Sequence, residues 1–287
     1  MSEPIGELFL DNNKSLLKMW SIFVDLKSRP FERHSHTRFE ITVVNSGSGE
    51  YTTENAVYPM LPGDVFVFSS NEVHCITKTG KDGLNITNLH FEPRYLIDDL
   101  SASYINFCFF HSDDFCNRIE SEKAEVLRYH HNLIKNELSN KSEQYPLAIK
   151  SHLLLLLINL LREHNYRSDF DLKNSEAALD ILAVYDYIDK HLSEKLTLEE
   201  ISKVANLSPN YFCSVFKKLH SVSLWDYITA RRIEKAVRLI KYNESLNMLD
   251  IALECGFNNT VNFNKAFKKH KGITPSELKN TNYLLPH

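Results

Sequence analysis

The chain has 287 residues, of which 43% are hydrophobic and 24% charged, and it carries a formal net charge of −4. This length favours two domains, and the composition is that of an ordinary soluble globular protein, which argues against a disordered or fibrous chain. Residues 1–176 contain 18 Lys and Arg against 25 Asp and Glu, whereas residues 177–287 contain 15 against 12. The C-terminal part is only mildly basic, so charge alone is weak evidence for nucleic-acid binding.

The cysteines are odd in number, and no two have Cys-x-x-Cys spacing. They are Cys75, Cys108, Cys116, Cys213 and Cys255. The first ten residues have neither a basic start nor a long apolar run, so we expect free thiols in a reducing cytoplasm. The longest apolar run, Leu153 to Leu161, is too short to cross a bilayer and predicts a buried helix without a membrane partner.

The first third of the chain has the pattern of short β-strands separated by turns. Strands are predicted at Phe39–Val44, Tyr51–Thr53, Val57–Met60 and Val65–Phe68, within a β region from Trp20 to about Phe91. Turns are predicted at Asn45–Gly49 and Pro62–Asp64, which are rich in Gly, Asn, Ser and Pro. Strands at this spacing predict a small sandwich or barrel.

A set of polar residues in this region has a specific spacing. The pattern is His34-x-His36-x-x-x-Glu40, then Gly47, then Pro62-Gly63-Asp64, then His74. This pattern resembles the cupin barrel. Side chains alternate along a strand, so His34, His36, Arg38 and Glu40 are expected to share one face. The resemblance to sensory cupin domains implies an effector pocket with no bound cofactor. Its predicted residues are His34, His36, Arg38, Glu40, Tyr51 and His74, with His90 as a further candidate.

Two other interpretations of the polar set stay open. Imidazoles and a carboxylate suit a divalent transition metal, which His34, His36, Glu40 and His74 would hold. The histidines could instead be structural. Arg38, whose forked donors suit a carboxylate or a sugar, could simply pair with Glu40.

Helical periodicity follows from Cys116 to Leu138 and from Gln144 to Glu163. The apolar stripe Leu154, Leu157 and Leu161 predicts a face that pairs two subunits, although it could also pack on its own barrel. We predict an effector and dimerisation domain over residues 1–164, a polar linker over 165–176 and a second domain over 177–287.

The second domain contains the same pattern twice, 51 residues apart. At this offset Ala205 falls on Gly256, Phe212 falls on Phe263, and Phe216-Lys217-Lys218 falls on Phe267-Lys268-Lys269. In the first copy Thr197 and Glu200 form a capping box, and Pro209 suits the first position of a second helix. Each copy therefore predicts a helix-turn-helix motif, at about 198–219 and 248–270.

The second helix of such a motif enters the DNA major groove, so its outward side chains are the predicted DNA contacts. They are Asn210, Cys213, Ser214, Lys217 and Lys218 in the first motif, and Thr260, Val261, Asn264, Lys265, Lys268 and Lys269 in the second. Arg231 and Arg232 are additional phosphate-binding candidates. A long helix at about 224–241 is expected to separate the motifs, with Trp225, Ile228, Ile233, Ala236, Val237 and Ile240 buried.

This region resembles the DNA-binding domain of the AraC/XylS family of transcription regulators. The matching stretches are Leu207–Phe212, Arg232–Ala236, Ile251–Ala252, Cys255–Phe257, Phe263, Phe267–Lys269 and Gly272–Pro275. The resemblance implies a two-domain α+β protein in which a cupin-like β-barrel and following helices precede an all-α domain.

The implied function is DNA binding by a homodimeric regulator, most often an activator acting with RNA polymerase in response to a small molecule, with a sugar as the leading candidate. We expect no enzymatic activity. The alternatives are a metal-dependent cupin enzyme and a regulator whose cupin domain serves only for dimerisation.

Overall fold

The protein is described from a computed structural model. The described residues are 2–10, 14–25, 33–69, 72–92, 95, 116–164, 175–220, 222–243 and 245–280. The chain divides into two compact units. The first comprises Met1–Phe31, Arg38–Ser69 and His74–Asp171, and the second comprises Glu32–Thr37, Ser70–Val73 and Leu172–His287. Most of the predicted linker lies outside the described residues, and the following helix begins at Ser175.

The described strands of the first unit form one antiparallel sheet. They are β1 (Ser2–Leu10), β2 (Lys14–Val24), β3 (Phe39–Thr53), β4 (Val57–Met60), β5 (Val65–Phe68), β6 (His74–Phe91) and β7 (Arg118–Ile119). Their order is β1-β2-β6-β3-β5-β7, and β4 pairs with β3. The predicted strands at 57–60 and 65–68 are therefore confirmed, as is the turn at Pro62–Asp64, where Gly63 has a φ of 89°.

The predicted turn at Asn45–Gly49 is wrong, because β3 continues through it. The pairing of β3 with β6 shifts register between Val44 and Ser46 and again between Gly47 and Gly49. Gly47 has a φ of 82°, and a Cβ there would overlap the Gly83 carbonyl oxygen. The glycine-rich stretch is thus an irregular part of a long strand, where bulges accommodate the extra residues.

In its described residues the first unit also has two α-helices, α1 (Glu125–Asn140) and α2 (Tyr145–Glu163). A short 3₁₀ turn at Ser121–Lys123 and β7 occupy the start of the predicted first helix. Leucines of both helices pack with the sheet in one core that includes Leu17, Ile41 and Leu89. By length and composition α2 could cross a membrane, but the burial of Leu153, Leu156 and Leu160 in this core identifies a packed helix.

The second unit is helical in its described part. Its helices are α3 (Ser175–Lys190), α4 (Leu198–Val204), α5 (Pro209–His220), α6 (Leu224–Tyr242), α7 (Met248–Glu254), α8 (Thr260–Lys271) and α9 (Pro275–Asn280). The pairs α4–α5 and α7–α8 are the two predicted helix-turn-helix motifs, and α6 is the predicted long helix. The capping box of Thr197 and Glu200 is present, and α5 begins at Pro209.

Two details of the second unit differ from the prediction. Trp225 on α6 is 48% exposed, because Leu224, Tyr227 and Ile228 occupy the buried positions of the first turns. The 51-residue offset holds for α5 and α8 but not for the helices before them, since α4 and α7 are 50 residues apart. Ala205 therefore corresponds to Cys255, both fully buried, and the extra residue lies in the second turn.

Candidate functional site

The first unit contains a buried cluster of polar side chains around Glu40 of β3. Glu40 Oε1 accepts hydrogen bonds from Thr42 Oγ1 at 2.6 Å and from the Tyr51 hydroxyl at 3.4 Å. Its Oε2 lies 2.7 Å from His90 Nε2 and 3.2 Å from His74 Nε2. We call Glu40, Tyr51, His74 and His90 the Glu40 cluster. Within the first unit the structure thus brings together Glu40, Tyr51 and His74 of the predicted effector residues and adds His90.

Strand pairing explains why these residues meet. Glu40 of β3 lies opposite His90 of β6, and His74 begins β6 opposite Thr53 at the end of β3. Sequence reasoning noted His90 only as a candidate, because the register between β3 and β6 is set by bulges that composition does not reveal.

Aromatic rings enclose the Glu40 cluster. Trp20 meets His90 edge-on with 4.5 Å between ring centroids, and Phe68 stacks on His74 at 4.3 Å. Burial, and then the charge of Glu40, raise the pKa of Tyr51 well above its ordinary value. The Tyr51 hydroxyl therefore remains a neutral donor, and the cluster offers one carboxylate, a hydroxyl and two imidazoles in an apolar surround.

Arg38 has partners outside this cluster. Its Nε lies 3.3 Å from Glu92 Oε1, and its Nη2 donates to the Ser15 carbonyl oxygen at 3.1 Å. Pairing with Glu40 is one of the alternatives that the sequence leaves open for Arg38. β3 begins only at Phe39, so the strand alternation predicted from residue 34 onward does not hold.

His34 and His36 lie in the segment that groups with the second unit. Their ring centroids are 6.0 Å apart. Thr37 in the same segment donates from its backbone N and its Oγ1 to Glu234 Oε1, at 2.9 and 2.6 Å. Of the four residues of the alternative metal set, Glu40 and His74 belong to the first unit and His34 and His36 to the second.

The second unit presents the outer faces of α5 and α8 to solvent. The inner faces pack through Phe212, Phe216, Phe263 and Phe267, all fully buried. The predicted contacts Asn210, Cys213, Ser214, Lys217, Val261, Asn264, Lys265, Lys268 and Lys269 are exposed, and Thr260 is half-buried. The Lys218 side chain lies outside the described part of the structure. Fixed aromatic anchors beneath exposed polar residues are what a groove-reading helix requires.

Local hydrogen bonds set the start of both helices of the second motif. The Asn247 side chain accepts from the backbone N of Leu249 and Asp250, and the Asn259 side chain accepts from the backbone N of Asn262. These caps satisfy backbone donors that would otherwise lack partners in the first helical turn. They fix where α7 and α8 begin and so fix which residues point outward.

The seven lysine and arginine candidates are not equivalent. Lys269 Nζ lies 3.5 Å from Asp226 Oδ1, so part of its charge is balanced within the protein. Arg231 is buried and pairs with Asp189 and Glu234, at 3.0 and 3.1 Å. Arg232 donates to the carbonyl oxygens of residues 192 and 194. Both arginines therefore have structural partners within the second unit, and their phosphate contacts stay a prediction.

Two family models match the chain. One describes an AraC-like ligand binding domain and matches residues 22–157, and the other describes a helix-turn-helix domain and matches residues 201–281. The Glu40 cluster lies within the first match, and both helix-turn-helix motifs lie mostly within the second.

Similar proteins include transcription regulators and a solved structure of the same fold. The chain is 24% identical over 256 residues to the probable transcriptional regulator LumQ of Photobacterium leiognathi, covering 87% of this chain and 92% of LumQ. It is 24% identical to the uncharacterized HTH-type regulator YdeC of Bacillus subtilis, covering 87% and 86%. A structure of ToxT from Vibrio cholerae matches with a TM-score of 0.60 at 13% identity, covering 91% of this chain and 97% of that one.

Proposed function

Because the chain belongs to the AraC family of DNA-binding transcription regulators, we propose that α5 and α8 read two blocks of one operator under the control of a small molecule bound by the first unit. The observation that carries this proposal is the pair of helix-turn-helix motifs, each with buried phenylalanines beneath an exposed polar face. The two recognition helices would enter successive major grooves on one side of the duplex, about 34 Å apart.

The exposed residues of the two helices support a division of roles. On α5 the outward Asn210, Cys213 and Ser214 are short, whereas α8 presents Asn264 and Lys265, with Val261 60% exposed. Asn and Lys donors recognise base edges, and an apolar side chain contacts the thymine methyl group. We therefore assign most base discrimination to α8.

The basic side chains at the ends of the recognition helices suit phosphates. Lys217 on α5 and Lys268 on α8 are exposed and occupy the same place in the two motifs. Of the two lysines at the end of α8, Lys269 Nζ lies 3.5 Å from Asp226 Oδ1, so Lys268 is the residue chosen for the test. We assign Lys217, Lys218, Lys268 and Lys269 to the DNA backbone.

Two lysine variants test this assignment against each other. Lys265→Ala should lower base preference at the α8 block by about 1–3 kcal/mol, whereas Lys268→Ala should weaken all sequences alike and reduce the salt slope by about one. Binding titrations over a set of point-mutated operators at several salt concentrations measure both effects. Full discrimination by Lys265→Ala, or its loss in Lys268→Ala, would contradict the assignment.

For the first unit we propose that the Glu40 cluster binds the effector, and that the effector is a sugar. A buried carboxylate, a neutral tyrosine hydroxyl and two imidazoles can take up the donors and acceptors of several hydroxyl groups. Trp20 and Phe68 supply aromatic faces beside them. A bound sugar would replace part of the hydrogen bonding that Glu40 now receives from Thr42 and Tyr51.

A fatty acid is the second candidate, because a ToxT structure of 14% identity and TM-score 0.56 was determined with an unsaturated fatty acid bound. The Glu40 carboxylate argues against it here, since two buried carboxylates repel each other. Thermal-shift assays of the full chain against sugars and fatty acids separate the two. A sugar held well above its dissociation constant should stabilise the chain by a few kcal/mol, and Glu40→Gln should abolish that shift.

The Glu40→Gln variant also distinguishes a ligand-responsive regulator from the alternative of a metal-dependent enzyme. Elemental analysis of the purified chain and of Glu40→Gln measures any metal that depends on this carboxylate. Unchanged operator binding with a lost sugar response is the expected result. A stoichiometric metal lost together with turnover of a substrate would instead favour the enzyme.

We further propose that two copies pair through α1 and α2. The leucine stripe that the sequence predicts for dimerisation packs inward. Leu157 is buried, and Leu154 and Leu161 pack against the core of their own unit. Other apolar side chains on the same helices are exposed. They are Val126 at 45%, Tyr129 at 60%, Leu147 at 63% and Leu155 at 48%.

Sedimentation analysis at tens of micromolar tests the pairing. Leu155→Asp should shift a dimer to a monomer, because it places a charge in the apolar patch. Val57→Asp is the matched control, since Val57 is 59% exposed on β4, away from both helices. A wild-type monomer, or an equal effect of both substitutions, would refute this surface.

Finally, we propose that DNA-bound dimers activate transcription through contact with RNA polymerase in the cytoplasm. The support is the regulator family alone. In vitro transcription from the operator-bearing promoter, with and without effector, decides the sign: increased transcript supports activation, and decreased transcript makes the protein a repressor.

A further inference from the structure

A pair of histidines bridges the helical hairpin of the first unit, away from the Glu40 cluster. His130 lies on α1 and His152 on α2, and the two Nδ1 atoms are 3.4 Å apart. Their ring centroids are 5.5 Å apart with an interplanar angle of 36°. Both side chains are half-buried, so each ring is held by packing while its edge remains accessible to solvent.

The Nδ1 separation fits a shared metal ion better than a good hydrogen bond. Hydrogen bonds from N–H groups are typically about 2.7–3.2 Å long. Two nitrogens bound to one tetrahedral Zn²⁺ at about 2.0–2.1 Å are about 3.3–3.4 Å apart. The observed 3.4 Å is therefore the spacing that a zinc ion between the rings would require.

The protonation state of the two imidazole rings and the packing around them favour cation binding. Burial lowers the pKa of His130, and the neighbouring His152 lowers it further. A neutral imidazole is the form that binds metal. The Tyr129 ring meets His130 edge-on at 5.3 Å and limits its rotation. A short connection joins α1 to α2, and leucines of both helices are buried in one core, so the separation of the two rings is fixed before an ion arrives.

We propose that His130 and His152 form a binding site for a divalent transition-metal ion, Zn²⁺ in particular, with both Nδ1 atoms as ligands. Imidazole nitrogens suit Zn²⁺, Cu²⁺ and Ni²⁺. The ion would replace the weak contact between the rings and clamp α1 to α2. Water molecules would complete its coordination. The site is independent of the effector and DNA proposals, because its residues belong to neither.

Zinc titration of the full chain, followed by calorimetry and thermal unfolding, tests the site. The wild type should bind one more zinc equivalent than His130→Gln, His152→Gln or the double variant, and should gain a zinc-dependent rise in Tm that all three lose. The three variants should be alike, since one ligand alone does not make the site. His191→Gln is the matched control, because His191 is a half-buried helix-terminal histidine of the second unit.

Two further measurements on the wild type need no variant. Zinc should protect His130 and His152 from diethyl pyrocarbonate, as read by mass spectrometry, while leaving His191 reactive. Cu²⁺ should give an electron paramagnetic resonance spectrum with two equatorial imidazole nitrogens. Equal zinc stoichiometry in wild type and double variant, or no protection of the pair at saturating zinc, would overturn the proposal.

Discussion

Gly256, in the turn of the second helix-turn-helix motif, is expected to tolerate no side chain. Its φ is 81°, and the equivalent residue of the first motif, Asn206, has a φ of 50°. Both positions are therefore left-handed, but only Gly256 is also crowded. A Cβ on Gly256 would overlap the Leu192 carbonyl oxygen and lie 2.8 Å from Arg232 Nε. Gly256→Ala is therefore compared with Asn206→Ala, because position 206 accommodates a side chain in a left-handed conformation and position 256 has no space for one.

The two substitutions should differ in both strain and crowding. Replacing glycine by alanine in a left-handed conformation costs about 1–2 kcal/mol, whereas Asn206 already carries a Cβ there and loses only the tolerance of asparagine for this conformation. Forcing a methyl group into a filled space adds about 1–3 kcal/mol, which applies to Gly256 alone. The neighbour is backbone, and Arg232 is held by its own bonds to residues 192 and 194. Asn206→Ala should thus cost under about 1 kcal/mol of unfolding free energy, and Gly256→Ala about 2–5 kcal/mol.

Urea unfolding of the second unit, followed within the full chain by circular dichroism, measures both costs. DNA titrations add a functional readout, because Gly256→Ala should weaken the α8 block more than the α5 block. Equal destabilisation by the two variants would mean that the close approach of residues 192 and 256 does not contribute to the loss of unfolding free energy. A smaller cost at Gly256 than at Asn206 would refute the reasoning altogether.

Two other predictions concern burial. Burial, and then nearby Lys135, lower the pKa of His131 on α1 to about 3. In the unfolded chain His131 becomes protonated below about pH 6.5, whereas in the folded chain it stays neutral down to about pH 3. The free energy of unfolding should therefore fall by about 2 kcal/mol between pH 7.5 and 5. His131→Leu should remove that part of the pH dependence of Tm, and an unchanged dependence would contradict a neutral buried imidazole. In urea unfolding, Phe216→Ala should lower the free energy of unfolding by about 3–5 kcal/mol, because Phe216 is fully buried. Trp225→Ala should lower it by under about 1 kcal/mol, because Trp225 is 48% exposed. Similar losses for the two variants would contradict the burial pattern.

The helices of the second unit were predictable because local signals agree with helical periodicity. Thr197 and Glu200 form their capping box within four residues of chain, and Pro209 begins α5 as its fixed φ favours. Trp225 was misplaced, because its size suggests burial while Leu224 beside it takes the inward position. Periodicity identifies a helical face only to within about one residue on either side.

The sheet was less predictable, because strand register depends on residues far apart in the chain. The stretch from Asn45 to Gly49 has the composition of a turn, yet pairing with β6 keeps it in β3 and adds two register shifts. The same register places His90 opposite Glu40, which no local pattern indicates. Arg38 was assigned to the cluster by extending the alternation of β3 backwards, and the strand begins one residue too late for that.

The two motifs have the same two helices, but the turn between those helices differs in length, and this difference affects the recognition helix. Residues up to the left-handed turn correspond at an offset of 50, as the bonds from Leu207 N to Ser202 O and from Phe257 N to Ala252 O demonstrate. The recognition helices correspond at 51, so the second turn holds one more residue. That residue places Asn259 as the N-cap of α8, where its side chain accepts from Asn262 N. In the first motif the equivalent residue is Ser208, and α5 begins at Pro209, which has no backbone N–H to donate. Asn259 thus fixes where α8 begins and which of its residues face outward, and the assignment of base discrimination to the second motif depends on those residues.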